Sequence, residues 1–189
     1  LEYPNSEYGV FLFYIHEKGK HHIHYWDIPN EGKPLIMFVH GSPGSSTALM
    51  DIATDSLITT NFMPVMVDRP GFGYSDFGNA ERSLAIQSDL LTGVINTYPN
   101  TKKILVGHSL GGPLIAKMAM DFPETFSAIV ILAGSIDPQL EPKEWHRKPM
   151  SSPWIRWMIP KSFAASNDEI LTLKSELEKM LPDWEKIKI

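Results

Sequence analysis

Ile104-Leu105-Val106-Gly107-His108-Ser109-Leu110-Gly111-Gly112-Pro113-Leu114 is the stretch that decides how this chain is read. It opens on a short apolar run, and the residues from Leu114 to Met120 suit a helix. Between them stands G-x-S-x-G, so the motif falls at a strand–turn–helix junction. A serine there must occupy a sharp, strained turn for its hydroxyl to clear the sheet. The flanking glycines remove side chains that would collide with strand and helix. The helix N-terminus behind Ser109 favours negative charge developing nearby.

Working outward, Leu35 to Val39, Phe62 to Val67 and Ala128 to Ala133 are runs of the same kind. They are short and lack polar alternation, as in parallel strands covered on both faces. Thr47 to Ile58, Glu81 to Asn96 and Leu110 to Phe122 lie between them and read as helices. This alternation predicts an α/β fold, a mostly parallel sheet with crossover helices. Upstream, Tyr8 to His16 and His22 to Asp27 read as strands, joined by the polar turn Glu17-Lys18-Gly19-Lys20 into an antiparallel hairpin.

The alternation stops at Pro138. Residues 138–163 hold five prolines and three of the five tryptophans, which marks an insertion over the sheet and not a second domain. Ser166-Asn167-Asp168-Glu169 then matches a capping box. Ile170, Leu173, Leu177 and Met180 follow at helical spacing, predicting a helix over Asn167 to Leu181. The division is residues 1–137 as core, 138–185 as insertion, and 186–189 as the start of a strand cut short, because Lys186-Ile187-Lys188-Ile189 alternates.

Composition narrows the function. With 189 residues the chain is one domain. A net charge of −5 gives no basic surplus for a phosphate backbone, so no nucleic-acid partner is expected. No apolar run approaches the roughly 18 residues a spanning helix needs, so no membrane partner is expected. The absence of cysteine removes disulfides, thiolate metal sites and a cysteine nucleophile. The chain reads as soluble. The cytoplasm is favoured, and export is the alternative if an upstream signal was removed.

Two further motifs sit at strand ends. His40-Gly41-Ser42-Pro43-Gly44 follows the run Leu35 to Val39, and a loop there can aim a backbone N–H at the same point as the N–H of Leu110. Two such donors suit the oxyanion of a tetrahedral intermediate. Asp68-Arg69-Pro70-Gly71-Phe72-Gly73-Tyr74-Ser75 follows Phe62 to Val67, again where open α/β sheets bind ligands.

HGSPG, DRPGFGYS and GHSLGG, in this order, resemble the α/β-hydrolase superfamily over roughly residues 8–137, and within it the HGxPG branch of small-molecule hydrolases. The resemblance implies that Ser109 is the nucleophile and that the N–H groups of Ser42 and Leu110 form the oxyanion hole. It implies that His40, Gly41 and Asp68 organise loops, and that residues 138–185 are a helical lid. Trp145, Trp154, Trp157 and Phe163 are candidates for lining an apolar pocket under that lid. The reaction implied is acyl-enzyme hydrolysis of a small ester or amide, with no metal or organic cofactor. A non-catalytic ligand-binding protein or remnant, and C–C hydrolysis or perhydrolysis on the same scaffold, are the alternatives.

The chain departs from the family in one respect. The family order is Ser, then Asp or Glu, then His, and no histidine stands where the last member belongs. His108 adjoins the nucleophile, His40 sits in a loop, and His146 lies in the insertion. His21, His22 and His24 read as a polar strand face, not a metal site. Asp137, after the last apolar run, is the candidate acid; the usual acid position falls beyond Ile189. The expectation is therefore that the last strands and the catalytic histidine are absent. A missing C-terminal segment, on the same gene product or a second chain, would supply them, and residues 1–189 alone would have little activity.

Overall fold

The structure is a computed structural model that describes residues 2–6, 9–99, 101–142 and 145–189; of these, the side chains of 2–6, 9, 10, 145, 146 and 153 are not described. Seven strands form one sheet among these residues: β1 (Glu2–Ser6), β2 (Gly9–Lys18), β3 (His21–Asp27), β4 (Leu35–Val39), β5 (Met63–Val67), β6 (Lys103–His108) and β7 (Ala128–Leu132), in spatial order β1-β2-β3-β5-β4-β6-β7. β5, β4, β6 and β7 run parallel, and β1, β2 and β3 join them as an antiparallel flank. The β2–β3 hairpin turns at Gly19, whose φ of +63° a side chain would strain. β1 was not expected: its sequence, Glu2-Tyr3-Pro4-Asn5-Ser6, has no strand periodicity, and its pairing to β2 carries a register shift.

The uniformly apolar strands are buried on both faces. Leu35, Met37 and Val39 face one core with Val65, Val67 and Leu105, covered by helices α3 (Leu84–Ile95) and α4 (Gly111–Asp121). Ile36 and Phe38 face the other with Met66 and Val106, under Leu49 and Ala53. β7 differs. Among the described residues it pairs only with β6, and its residues are half-buried or exposed, Val130 at 44%. The apolar run predicted cover on both faces and a neighbouring strand; among the described residues β7 has no second strand partner, and its side chains are only partly covered.

Several expected boundaries moved. The helix expected over Thr47 to Ile58 is a 3-10 turn (Ser46–Leu49), α1 (Met50–Ala53) and α2 (Ser56–Asn61). Asp55 breaks it by accepting the Leu57 N–H and starting a new helix. The helix expected from Glu81 starts at α3 instead, where Ser83 accepts the Ile86 N–H.

The largest correction concerns the insertion. A 3-10 segment (Trp145–Ser151) and α5 (Pro153–Arg156) lead into α6 (Lys161–Met180), which begins directly after Pro160. Ser166, Asn167, Asp168 and Glu169 are therefore not a cap. They lie inside a 20-residue helix, and all four are buried. The capping-box pattern is the same whether its serine starts a helix or rides within one; Pro160, which cannot continue a preceding helix, decides the start. Leu173, Leu177 and Met180 pack into the α3–α4 core, so α6 is part of the body of the molecule. Residues 186–189 form no strand: a 3-10 segment (Leu181–Lys186) closes the helix, Ile187 packs on the core, and Lys188 pairs with Glu124.

Candidate active site

The register brings three strand ends level. Val39 pairs with Val67 on one side and Gly107 on the other, so His40, Asp68 and Ser109 emerge at the same end of β4, β5 and β6. Neighbouring strands stand about 4.8 Å apart, so three distant motifs share one surface.

Ser109 occupies the turn between β6 and α4 with φ +52°. This is left-handed backbone, costly for a residue with a Cβ and held only when the surroundings over-determine it. The glycines supply that constraint. A Cβ on Gly107 would run into the Gly111 carbonyl, and one on Gly111 into the Val39 carbonyl. One on Gly112 would stand 2.8 Å from the Gly134 Cα. The Ser109 N–H donates to Leu132 O at 2.9 Å, and its carbonyl accepts the Gly112 N–H at 2.9 Å. The side chain is left half-buried at the N-terminus of α4.

The HGSPG loop touches this turn. A Cβ on Gly41 would stand 2.9 Å from the Ser109 Cβ, so only glycine allows the approach. Among the described residues, neither the Ser42 nor the Leu110 N–H is spent on a protein acceptor. The Ser42–Pro43 bond is cis.

Behind the loop lies a buried polar network. Arg69 has no exposed surface. Its Nε donates to His40 O at 2.9 Å, and its Nη2 to Gly41 O at 3.0 Å. Glu169 of α6 accepts both terminal nitrogens, at 2.7 and 3.1 Å. Gln87 of α3 accepts from Arg69 and donates to Glu169, both at 3.1 Å. His40 is closed on both sides: Nδ1 lies 2.6 Å from Gly41 O, and Nε2 accepts the Arg69 N–H at 3.0 Å. Burial, with the Arg69 charge beside it, lowers the His40 pKa to about 3, so the ring is neutral and has no lone pair to offer a nucleophile.

Asp68 is also buried. It accepts from the Ser46 and Tyr74 N–H groups, and His24 Nδ1 lies 2.7 Å from it. Burial opposes its charge, but these bonds outweigh burial and hold its pKa below the ordinary carboxylate value. A Cβ on Gly73 would collide with this carboxylate, so the loop turns tightly around Asp68.

The other expected residues are placed differently. Asp137 is exposed and accepts the Gln139 N–H at 2.8 Å, a turn contact, and among the described residues no histidine bonds it. His21, His22 and His24 are each tied to a carboxylate, with the His22 side chain still 56% exposed. His21 and His22 both reach Asp76, at 2.9 and 3.3 Å, and His24 reaches Asp68. Trp154 is 82% exposed and Trp157 77%, so neither is enclosed as expected for a pocket wall. Trp157 does border a cavity of about 490 Å³ beside Phe77, Arg156 and Ala164, but the lining of that cavity does not include Ser109. The side chains of Trp145 and His146 lie outside the described residues. Among the described residues no histidine bonds the Ser109 hydroxyl, and no helix is long and apolar enough to cross a membrane.

Sequence reasoning missed Arg69, Gln87 and Glu169. The available signal was an acid on the apolar stripe of α6, since Glu169, Leu173, Glu176 and Leu177 recur at helical spacing.

The fold and this strand-end site define the α/β-hydrolase class. Residues 34–159 match the family described as alpha/beta hydrolase fold, and the chain belongs to that family. It is 31% identical over 115 residues to the 2-hydroxy-6-oxononadienedioate/2-hydroxy-6-oxononatrienedioate hydrolase of Paraburkholderia phymatum, covering 59% of this chain and 40% of the relative. It is 31% identical over 111 residues to the pimeloyl-[acyl-carrier protein] methyl ester esterase of Proteus mirabilis, with the same shares, 59% and 40%. An alpha/beta hydrolase fold protein from Burkholderia ambifaria superposes with a TM-score of 0.67 at 18% identity, covering 90% of this chain and 74% of that one. The matched stretch thus spans about two-fifths of the length of these curated relatives.

Proposed function

We propose that this chain carries the nucleophile half of a serine hydrolase acting on a small ester or related carbonyl compound. One observation carries the reading: Ser109 sits at φ +52° on a glycine-walled turn, beside two unspent backbone N–H donors. In this reading Ser109 Oγ bonds to the substrate carbonyl carbon as its proton passes to a base. The Ser42 and Leu110 N–H groups hold the oxyanion. The carbonyl carbon then expels the leaving group, which takes up that proton, and water releases the acid from Ser109. Among the described side chains no histidine bonds Ser109, so in this reading the base is a group those side chains do not supply. A second reading, hydrolysis of a hydroxy-oxo-dienedioate, is favoured by the name of the P. phymatum relative.

The test is to assay the full natural chain and residues 1–189 side by side, on short aryl esters and on an oxo-dienedioate, with fluorophosphonate labelling and peptide mapping. Labelling at Ser109 in the full chain, abolished in Ser109→Ala, is the expected result. Labelling unchanged by that substitution overturns the assignment. Equal activity of residues 1–189 alone shows that the base lies within them.

A further inference from the structure

We propose that Arg69, clamped by Glu169 of α6, is a positioning residue that aims the Ser42 N–H at the oxyanion. This inference rests on the hydrolase reading above. In a trans peptide the carbonyl and the following N–H point in opposite directions. The Gly41–Ser42 peptide is trans, since the cis bond is the next one along. Its carbonyl accepts from Arg69 Nη2 at 3.0 Å and faces His40 Nδ1 at 2.6 Å, on the buried side of the loop. Holding that oxygen inward turns the Ser42 N–H outward, toward the side where Gly41 lies against Ser109. The preceding carbonyl, of His40, is held by Arg69 Nε at 2.9 Å, so two successive peptide planes are fixed by one side chain.

Arg69 cannot hold this pose alone. A guanidinium with no exposed surface needs its charge balanced and its remaining donors filled. Glu169 does both with two bonds, and Gln87 fills the remaining gap. Both ligands sit on helices, and Glu169 is 100 residues away in sequence. The aim of the donor therefore depends on α6 being docked. Glu176, seven residues further along the same face, accepts the Leu84 N–H at 3.0 Å and ties α6 to the start of α3. If α6 lifts, Arg69 loses its counter-ion, and the loop loses the group that orients it.

The test uses the full natural chain with three variants: Glu169→Gln, Arg69→Lys, and the double variant Arg69→Met/Glu169→Met. The double variant guards against unfolding, because a buried ion pair replaced by apolar groups of similar volume commonly keeps its fold. Two readouts are needed, amide hydrogen exchange across residues 40–46 and a kcat-against-KM split on an ester. The expected result is loop exchange at least about 10-fold faster in Glu169→Gln and in the double variant. β4 and α4 should keep their protection. With it comes a fall in kcat of about 10²-fold at nearly constant KM, as for a misplaced transition-state donor, and Arg69→Lys should retain more of kcat than the double variant. A folded double variant with wild-type loop exchange, or with wild-type kcat, overturns the inference while leaving Ser109 labelling and the hydrolase reading intact. A wild-type full chain that neither turns over esters nor labels at Ser109 overturns the hydrolase reading, and the catalytic role of Arg69 with it.

Discussion

The turn at Ser109 and the crossing of α6 over Arg69 are built on opposite principles. The turn is local in its chain path, because β6, the turn and α4 are continuous in sequence, and steric exclusion holds it, by Gly111 within the turn and by Val39 and Gly134 at the neighbouring strand ends. Gly107, Gly111 and Gly112 matter for what they lack. The crossing is long-range and electrostatic, joining Arg69 to Glu169 through a buried ion pair backed by Gln87. A local turn of this kind can be read from spacing. A pairing across a hundred residues cannot, because neither partner signals the other. The two also differ in how they fail. A steric wall is lost when a side chain is added, whereas a buried ion pair is lost when one is removed.

That contrast can be broken at either end. The largest effect belongs to Ser109→Ala in the full natural chain. Loss of the nucleophile in a comparable enzyme costs on the order of 10⁶ in turnover, and steady-state kinetics should show that fall with the fold unchanged. Next comes Glu169→Ala, which leaves the Arg69 charge buried without its counter-ion. Breaking a buried pair from one side costs about 3–5 kcal/mol, and urea unfolding should show a loss of that size. If Arg69→Met/Glu169→Met recovers most of it, the cost came from the orphaned charge and not from lost packing.

The steric side is sharpened by Gly107→Ala, whose methyl meets the Gly111 carbonyl. Forcing extra atoms into a filled site costs about 1–3 kcal/mol. The change should displace the turn and reduce Ser109 labelling, which is checked by unfolding and probe reactivity together.

His40 offers a pH test of the network. Its folded pKa of about 3 lies below its unfolded value of 6.5, so the unfolded chain takes up a proton that the folded chain refuses. The associated stability is fully present above 6.5 and is lost as pH falls toward about 3. The slope is about 1.4 kcal/mol per pH unit for one proton. Asp68, with its pKa lowered from 3.8, adds a loss of the same sign only at more acid pH. Denaturant unfolding between pH 7 and 4 should show the His40 slope in the wild type, and a flatter curve in His40→Gln. The smallest effect is Ser83→Ala, which removes the cap of α3 at the Ile86 N–H. About 1 kcal/mol is expected, by thermal or urea unfolding, with no change at Ser109.

What sequence alone determined is local in origin. Strand, turn and helix around Ser109 follow from an apolar run, G-x-S-x-G and a helix former, all within reach of backbone sterics. The doubly covered strands followed from runs without polar alternation, and the placing of three motifs at one sheet end followed from the parallel order those runs imply. Tertiary structure alone decided the rest. It made Ser166 to Glu169 helix interior instead of cap, because the start of α6 is set by Pro160 and its buried face by the α3–α4 core. It gave His21, His22 and His24 of the polar strand face their partners, Asp76 and Asp68, since the Asp68–Ser75 loop folds back over β3. It joined Arg69 to Glu169, because the energy of a buried charge depends on what surrounds it in space. No periodicity or propensity along the chain encodes which carboxylate will arrive there.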